Sequence, residues 1–112
     1  MTSSTEVVRP LVEAVRERRA VRFAYADGPS RTVHPHVVYA DARGTGFVEG
    51  IQVDGPSATP LPGWRRWRLD RVDAVEPGGA WFPVDPRLDL GDTRRYAAVV
   101  AAVEIEPGAG GC

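Results

Sequence analysis

The stretch Arg65-Arg66-Trp67-Arg68-Leu69-Asp70-Arg71-Val72 holds four of the fourteen arginines of this 112-residue chain. Successive residues of a β-strand point to opposite faces of the sheet. Arg66, Arg68 and Asp70 would then share one polar and basic face. Trp67 and Leu69 would point to the other face, where they can reach a hydrophobic core. We therefore predict a strand here with one buried and one basic side.

Composition limits the chain to one domain, long enough to bury a core without disulfides or a structural metal. The net charge is −1, but residues 1–71 hold eleven arginines against eight acids, and residues 72–112 hold three against seven. The single cysteine, Cys112, can form no internal disulfide. The N-terminus has no signal-peptide pattern, and no apolar run reaches membrane-spanning length. We expect a soluble, cytoplasmic protein with no membrane contact.

The N-terminal segment, residues 4–19, has the period of an amphipathic helix. Its apolar stripe consists of Val8, Leu11, Val12 and Val15. Pro10 is tolerated in such a helix only if it falls in the first turn. We expect the apolar stripe to cover one side of a β structure.

Period-two alternation predicts strands over residues 20–26, 31–40 and 46–53, and a short one over 72–76 follows the arginine strand. Pro35 cannot donate a ladder hydrogen bond, so we expect a bend, a bulge or a sheet edge there. The run of alanines and valines over residues 95–105 fits either a helix or a buried strand, with a slight preference for helix at its start. Trp81 and Phe82 are expected to close the core.

About five short, strongly bent antiparallel strands behind one helix predict a mainly β protein. A partly closed barrel is the economical way to bury the aromatic residues together. We expect a flexible N-terminus over residues 1–9, the barrel with its helix over 10–83, a C-terminal extension over 84–106 and a disordered tail over 107–112.

Three runs of this sequence, taken in order, resemble the WYL domain, a bacterial sensor module with an SH3-like or Sm-like barrel. They are Arg18 to Tyr25, Arg31-Thr-Val-His-Pro-His36, and Arg65 to Val72, with Gly50 between the last two. The resemblance covers residues 11–83. In place of the Trp-Tyr-Leu motif this chain has Gly46-Phe47-Val48, followed by Glu49 and Gly50, so the motif is degenerate.

The resemblance implies a basic pocket for nucleic acid or nucleotide-like effectors, in regulators of transcription and defence. Arg31, Arg65, Arg68 and Arg71 match the family's basic positions, and arginine binds phosphate through two parallel charge-assisted hydrogen bonds. Tyr39, Phe47 or Trp67 would offer a ring for base stacking, and His36 would donate to a phosphate. An ion pair or a solvated face explains any one of these arginines better than a ligand does, so the prediction of anion binding rests on the set of four.

We therefore predict a non-catalytic module that binds single-stranded nucleic acid or a nucleotide-like anion and acts on a separate DNA-binding regulator. The sequence has no motif for a nucleophile, a phosphate loop or a catalytic metal. His34 and His36 share a face, but no cysteine or placed carboxylate completes a metal site, and we expect no cofactor. The alternative is an interaction or homodimerisation module without ligand binding, which docks through the strand near Pro35 or through residues 96–105.

Overall fold

The structure, a computed structural model, describes residues 4–103, with side chains from residue 6 onward. Helix α1 (Ser4–Glu17) precedes six antiparallel strands of one sheet. These are β1 (Val21–Tyr25), β2 (Ser30–Ala40), β3 (Gly46–Asp54), β4 (Gly63–Arg68), β5 (Val72–Glu76) and β6 (Ala98–Ala102). A short 3-10 helix, Leu69–Arg71, joins β4 to β5. The mainly β class with one N-terminal helix is confirmed.

The sheet is not a closed barrel. Its strands pair in the order β4-β3-β2-β1-β5, and β6 pairs with the free side of the second half of β2. No pairing within residues 4–103 joins β4 to β5, because the 3-10 turn between them carries the chain across to the far edge beside β1. The prediction of a partly closed barrel of about five strands is therefore replaced by a compact sheet of six.

Helix α1 lies on the sheet through a stripe that is displaced from the predicted one. Leu11 and Val15 are fully buried as expected, and Val7 and Ala14 are buried beside them. Val8 and Val12 are only partly buried. The helix begins at Ser4, within the range assigned to a flexible N-terminus, so Pro10 falls inside the helix and beyond its first turn. The tail predicted over 107–112 lies outside the described residues.

The arginine strand ends earlier than its alternation predicts. β4 stops at Arg68, and Leu69 to Arg71 form the 3-10 turn. Trp67 and Leu69 are buried, as predicted. The turn breaks the two-residue alternation, so Arg71 no longer follows the facing of Arg65. Arg65, Arg66 and Arg68 keep the alternation of the strand, and only Arg71 is displaced by the turn.

Pro35 sits at a bulge of β2 rather than on an edge. The register of β2 against β3 shifts between Pro35 and Val37. On its other side β2 pairs with β1 up to Val33 and with β6 from Val37 onward, so Pro35 lies between the two pairings. A residue without an N–H is tolerated there because no ladder bond is required from it.

Phe82 and the C-terminal extension complete the core, but the expectation that Trp81 does so is wrong. Phe82 is fully buried, whereas Trp81 is 56% exposed and carries the Arg18 guanidinium over its ring. Residues 98–102 form the strand β6, so the slight preference for a helix at the start of residues 95–105 is wrong. Leu88 and Tyr96 also join the core cluster.

Gly50 is required by a close approach of two strands. It lies opposite Pro35, and a Cβ on it would overlap the carbonyl oxygen of His34. We expect Gly50→Ala to lower the free energy of unfolding by about 3 kcal/mol, since a packed backbone cannot yield to the added methyl group. Urea unfolding measures this. Gly91→Ala, at an exposed turn, is the control and should change stability by less than about 0.5 kcal/mol; equal effects would contradict the close approach.

Candidate functional site

Arg31 lies on β2 directly opposite Phe23 of β1. Its guanidinium carbon is 5.5 Å from the ring centroid of Tyr25. The Nε of Arg31 is buried and has no hydrogen-bond partner among the described residues. A buried donor without an acceptor lowers stability. A ligand that brought an acceptor to this N–H would remove that cost.

Arg65 lies on the same face of the sheet as Arg31. Arg65 and Trp67 are two apart on β4 and so point to the same face. The ring centroid of Trp67 lies 5.4 Å from that of Phe23. Phe23 is the cross-strand neighbour of Arg31 and points to the same face as Arg31. Arg65 donates to the hydroxyl oxygens of Ser57 (2.9 Å) and Thr59, in the loop before β4. These acceptors are neutral, so they orient the guanidinium without cancelling its charge.

Arg68 and Arg71 are placed differently. The side chain of Arg68 pairs with Asp70 at 2.8 Å and borders a cleft of about 430 Å³ beside the turn at residues 44–46. Its backbone N–H donates to the Tyr25 hydroxyl at 3.1 Å. Arg71 is exposed, and its carbonyl accepts from the Ala26 N–H. Strand alternation thus separates the Arg68 side chain from Arg31 and Arg65, although its backbone adjoins Tyr25.

The three aromatic residues predicted to stack on a ligand, Tyr39, Phe47 and Trp67, are all buried. Tyr39 is 1% exposed, and Phe47 is 7% exposed. Their rings stack at 5.5 Å, and the guanidinium of Arg66 lies 4.5 Å above Phe47. Tyr25 is the aromatic ring in contact with Arg31. It lies in one of the runs that carry the family resemblance, but it is not among the residues predicted to bind a ligand.

A buried carboxylate, Glu49, organises the other face of the sheet. Glu49 has no exposure and accepts hydrogen bonds from Tyr39 Oη, Trp64 Nε1 at 2.8 Å, Arg95 Nε at 2.9 Å and Tyr96 Oη at 3.0 Å. Burial alone would raise the pKa of Glu49, but these donors, led by Arg95, hold it below its usual value. Burial and the Glu49 charge raise the pKa of Tyr96 to about 12.

His36 forms a second buried link to the C-terminal extension. Its Nε2 accepts from the backbone N–H of Asp85 at 2.9 Å, so Nδ1 carries the proton and donates to the His34 carbonyl at 2.9 Å. The imidazole is therefore neutral, and burial lowers its pKa. With both ring nitrogens engaged, His36 has no donor left for a phosphate.

The two histidines that share a face of β2 in the sequence prediction are both engaged in ring contacts. The ring of His34 stacks on Phe82 at 4.8 Å, while His36 faces Trp64 and Phe82. Over residues 4–103, no three side chains of His, Cys, Asp or Glu are grouped so that they could hold a metal ion. Nor does that part of the chain contain a helix with the length and apolar character needed to cross a bilayer.

Comparison with known proteins points to one family. The family model of the WYL domain matches residues 6–77. Among solved structures, the chain is similar to the proteasome accessory factor B/C (PafBC) of Arthrobacter aurescens, with 28% identity and a TM-score of 0.58. The similarity covers 70% of this chain and 12% of the PafBC chain, so this chain spans a small part of that protein. No curated protein matches the sequence.

Replacement of the buried carboxylate should be far more costly than that of an exposed one. Glu49→Gln keeps the size but places an amide donor among four donors and leaves Arg95 without its anion. We expect a loss of about 3 kcal/mol in the free energy of unfolding. Asp70→Asn removes the exposed partner of Arg68 and should cost less than about 1 kcal/mol. Urea denaturation compares the two, and similar losses would contradict the role given to Glu49.

Stability should fall on acidification in two stages. The folded pKa values of His34 and His36 are lowered, so the unfolded state binds protons that the folded state excludes once the pH falls below about 6.5. The lowered pKa of Glu49 adds a loss of the same sign below about pH 4.3. Unfolding free energies at a series of pH values test this. Glu49→Gln should keep the upper stage, and a rise in stability between pH 6.5 and 5 would contradict it.

Proposed function

The chain belongs to the WYL domain family, and from this premise we propose that it binds single-stranded nucleic acid or a nucleotide-like anion through Arg31 and Arg65. WYL domains are in general regulatory sensing modules rather than catalysts, and the likeness to PafBC fits that role. In this proposal the ligand-bound module acts on a DNA-binding regulator in transcription or defence.

The observation that carries the proposal is the unsatisfied state of Arg31. Its Nε is buried and has no acceptor among the described residues, and its guanidinium lies against the Tyr25 ring. A phosphate oxygen at this position would supply the missing acceptor and the missing counter-charge. Protein groups already supply both for Arg95, which donates to buried Glu49.

Arg65 supports the same assignment because its charge is not neutralised by its partners. Ser57 and Thr59 fix its guanidinium through neutral hydroxyls. Arg68, by contrast, pairs with Asp70, although both side chains are about half exposed and such pairs are weak. We therefore place Arg31 and Arg65 at the centre of the ligand site and Arg68 and Arg71 at its margin.

Single-stranded nucleic acid fits this arrangement better than a duplex. Arginine binds phosphate through its planar fork, and single strands add unstacked bases that pack on aromatic rings. Tyr25 is partly exposed next to Arg31, whereas Tyr39 and Phe47 are buried. The stacking ring in this proposal is therefore Tyr25.

The test is a titration of short fluorescent oligonucleotides, followed by anisotropy at two salt concentrations. We expect Arg31→Gln and Arg65→Gln each to weaken binding about tenfold, and each lost phosphate contact to reduce the salt slope by about 0.7. Arg22→Gln is the matched control, since Arg22 is an exposed arginine on the opposite face of β1 and changes the charge equally.

Circular dichroism confirms that the variants are folded. Absence of binding by the unaltered protein at low salt would overturn the proposal. If Arg22→Gln and Arg31→Gln weakened oligonucleotide binding equally, the loss of affinity would be explained by the change in net charge alone. That result would also overturn the assigned site. Duplex DNA of the same sequence should bind more weakly than the single strand.

A further inference from the structure

A cleft of about 270 Å³ lies on the Glu49 face of the sheet, between β4 and the C-terminal extension. Its lining combines aromatic rings with guanidinium and carboxylate groups, from Trp64, Arg87, Asp89, Asp92, Arg95 and Tyr96. Trp64 belongs to β4, and the other five residues lie beyond those that the family model matches. Trp64 and Arg65 are adjacent on β4 and point to opposite faces, so this cleft is separate from the proposed nucleic-acid site.

The wall of the cleft is held in one arrangement by Glu49. This fully buried carboxylate accepts from Trp64 Nε1, Arg95 Nε and Tyr96 Oη, so three of the lining side chains are fixed by the same group. A ligand that binds to side chains already ordered by the fold loses little affinity to their immobilisation. The cleft is therefore preorganised on the side formed by these three residues.

The charged groups of the lining have opposite signs, and part of their bonding capacity is unused. Arg95 contacts Glu49 through Nε, and within residues 4–103 its two terminal nitrogens donate no hydrogen bond. Asp89 and Asp92 each accept one backbone N–H through Oδ1, from Gly91 and Arg95 respectively. No ion pair among the described residues involves either of these carboxylates. The cleft therefore offers donors to an anionic group and acceptors to a cationic group.

A ligand of a single charge fits this lining poorly. The carboxylates of Asp89 and Asp92 repel an anion, and the guanidinium groups of Arg87 and Arg95 repel a cation. A molecule that carries an ammonium and a carboxylate on the same carbon satisfies both sets of groups. The half-buried ring of Trp64 adds an apolar wall, and Arg87, 5.9 Å from its centroid, makes a weak cation–π contact that a ligand can replace.

We propose that this cleft binds a free α-amino acid with an apolar side chain. The carboxylate of the ligand accepts from the terminal nitrogens of Arg95, its ammonium donates to Asp89 and Asp92, and its side chain packs on Trp64. A ligand in this position contacts both β4 and the C-terminal extension. Its binding therefore stabilises the association of the extension with the sheet.

NMR titration of isotope-labelled protein tests the proposal through the indole N–H signal of Trp64, which is identified by its absence in Trp64→Phe. We expect L-phenylalanine and L-leucine to shift this signal saturably. Phenethylamine lacks the carboxylate and hydrocinnamate lacks the ammonium, so each should bind about tenfold more weakly than L-phenylalanine. Absence of a saturable shift with every apolar amino acid would overturn the proposal, and so would equally tight binding of phenethylamine or hydrocinnamate.

Removal of the acidic charges tests the groups assigned to the ammonium. Asp89→Asn combined with Asp92→Asn keeps the Oδ1 atoms that accept from the backbone, and it should weaken L-phenylalanine binding about tenfold. Asp27→Asn combined with Asp70→Asn removes two charges at exposed positions outside the cleft and should leave the affinity unchanged. Equal affinities of the two double variants for L-phenylalanine would overturn the assigned site.

Discussion

Glu49 is an ionised carboxylate without contact to water, and the arrangement of one whole face of the sheet follows from this constraint. Transfer of such a charge out of water costs several kcal/mol unless donors surround it. β2, β4 and the C-terminal extension supply those donors through Tyr39, Trp64, Arg95 and Tyr96. Three separate parts of the chain must therefore be in place together, and His36 adds a second link between β2 and the same extension.

The two faces of the sheet have opposite characters as a result. On the Glu49 face, the predicted ligand residues Tyr39, Phe47 and His36 are engaged in internal contacts. On the other face, Arg31 and Arg65 have either an unsatisfied donor or only neutral partners. Arg31 and Arg65 therefore lie on the face opposite Glu49, whereas Arg66, on the Glu49 face, is held over the ring of Phe47.

Alternation of apolar and polar residues was enough to predict β1, β2, β3 and the burial of Trp67 and Leu69. It failed at residues 69–71, because a 3-10 turn can present the same alternating letters as a strand. The secondary structure of Ala98 to Ala102 could not be predicted correctly, because alanine favours a helix, valine favours a strand, and the apolar run has no period that decides between them. The sequence shows Glu49 next to the degenerate motif, but its partners Arg95 and Tyr96 are distant in sequence and follow only from the fold. The sequence therefore predicted which arginines are candidates for the site but not how their side chains are arranged in space.

The four donors of Glu49 also limit how this sequence can diverge. A related chain with an apolar residue at the position of Glu49 gains nothing from the hydroxyl of Tyr96 or the guanidinium of Arg95. A chain that loses those donors cannot keep the carboxylate. Positions 49, 95 and 96 are thus expected to change together during evolution, although the family match ends at residue 77. The hydrogen-bonded unit built around Glu49 therefore extends beyond the residues that the family model matches.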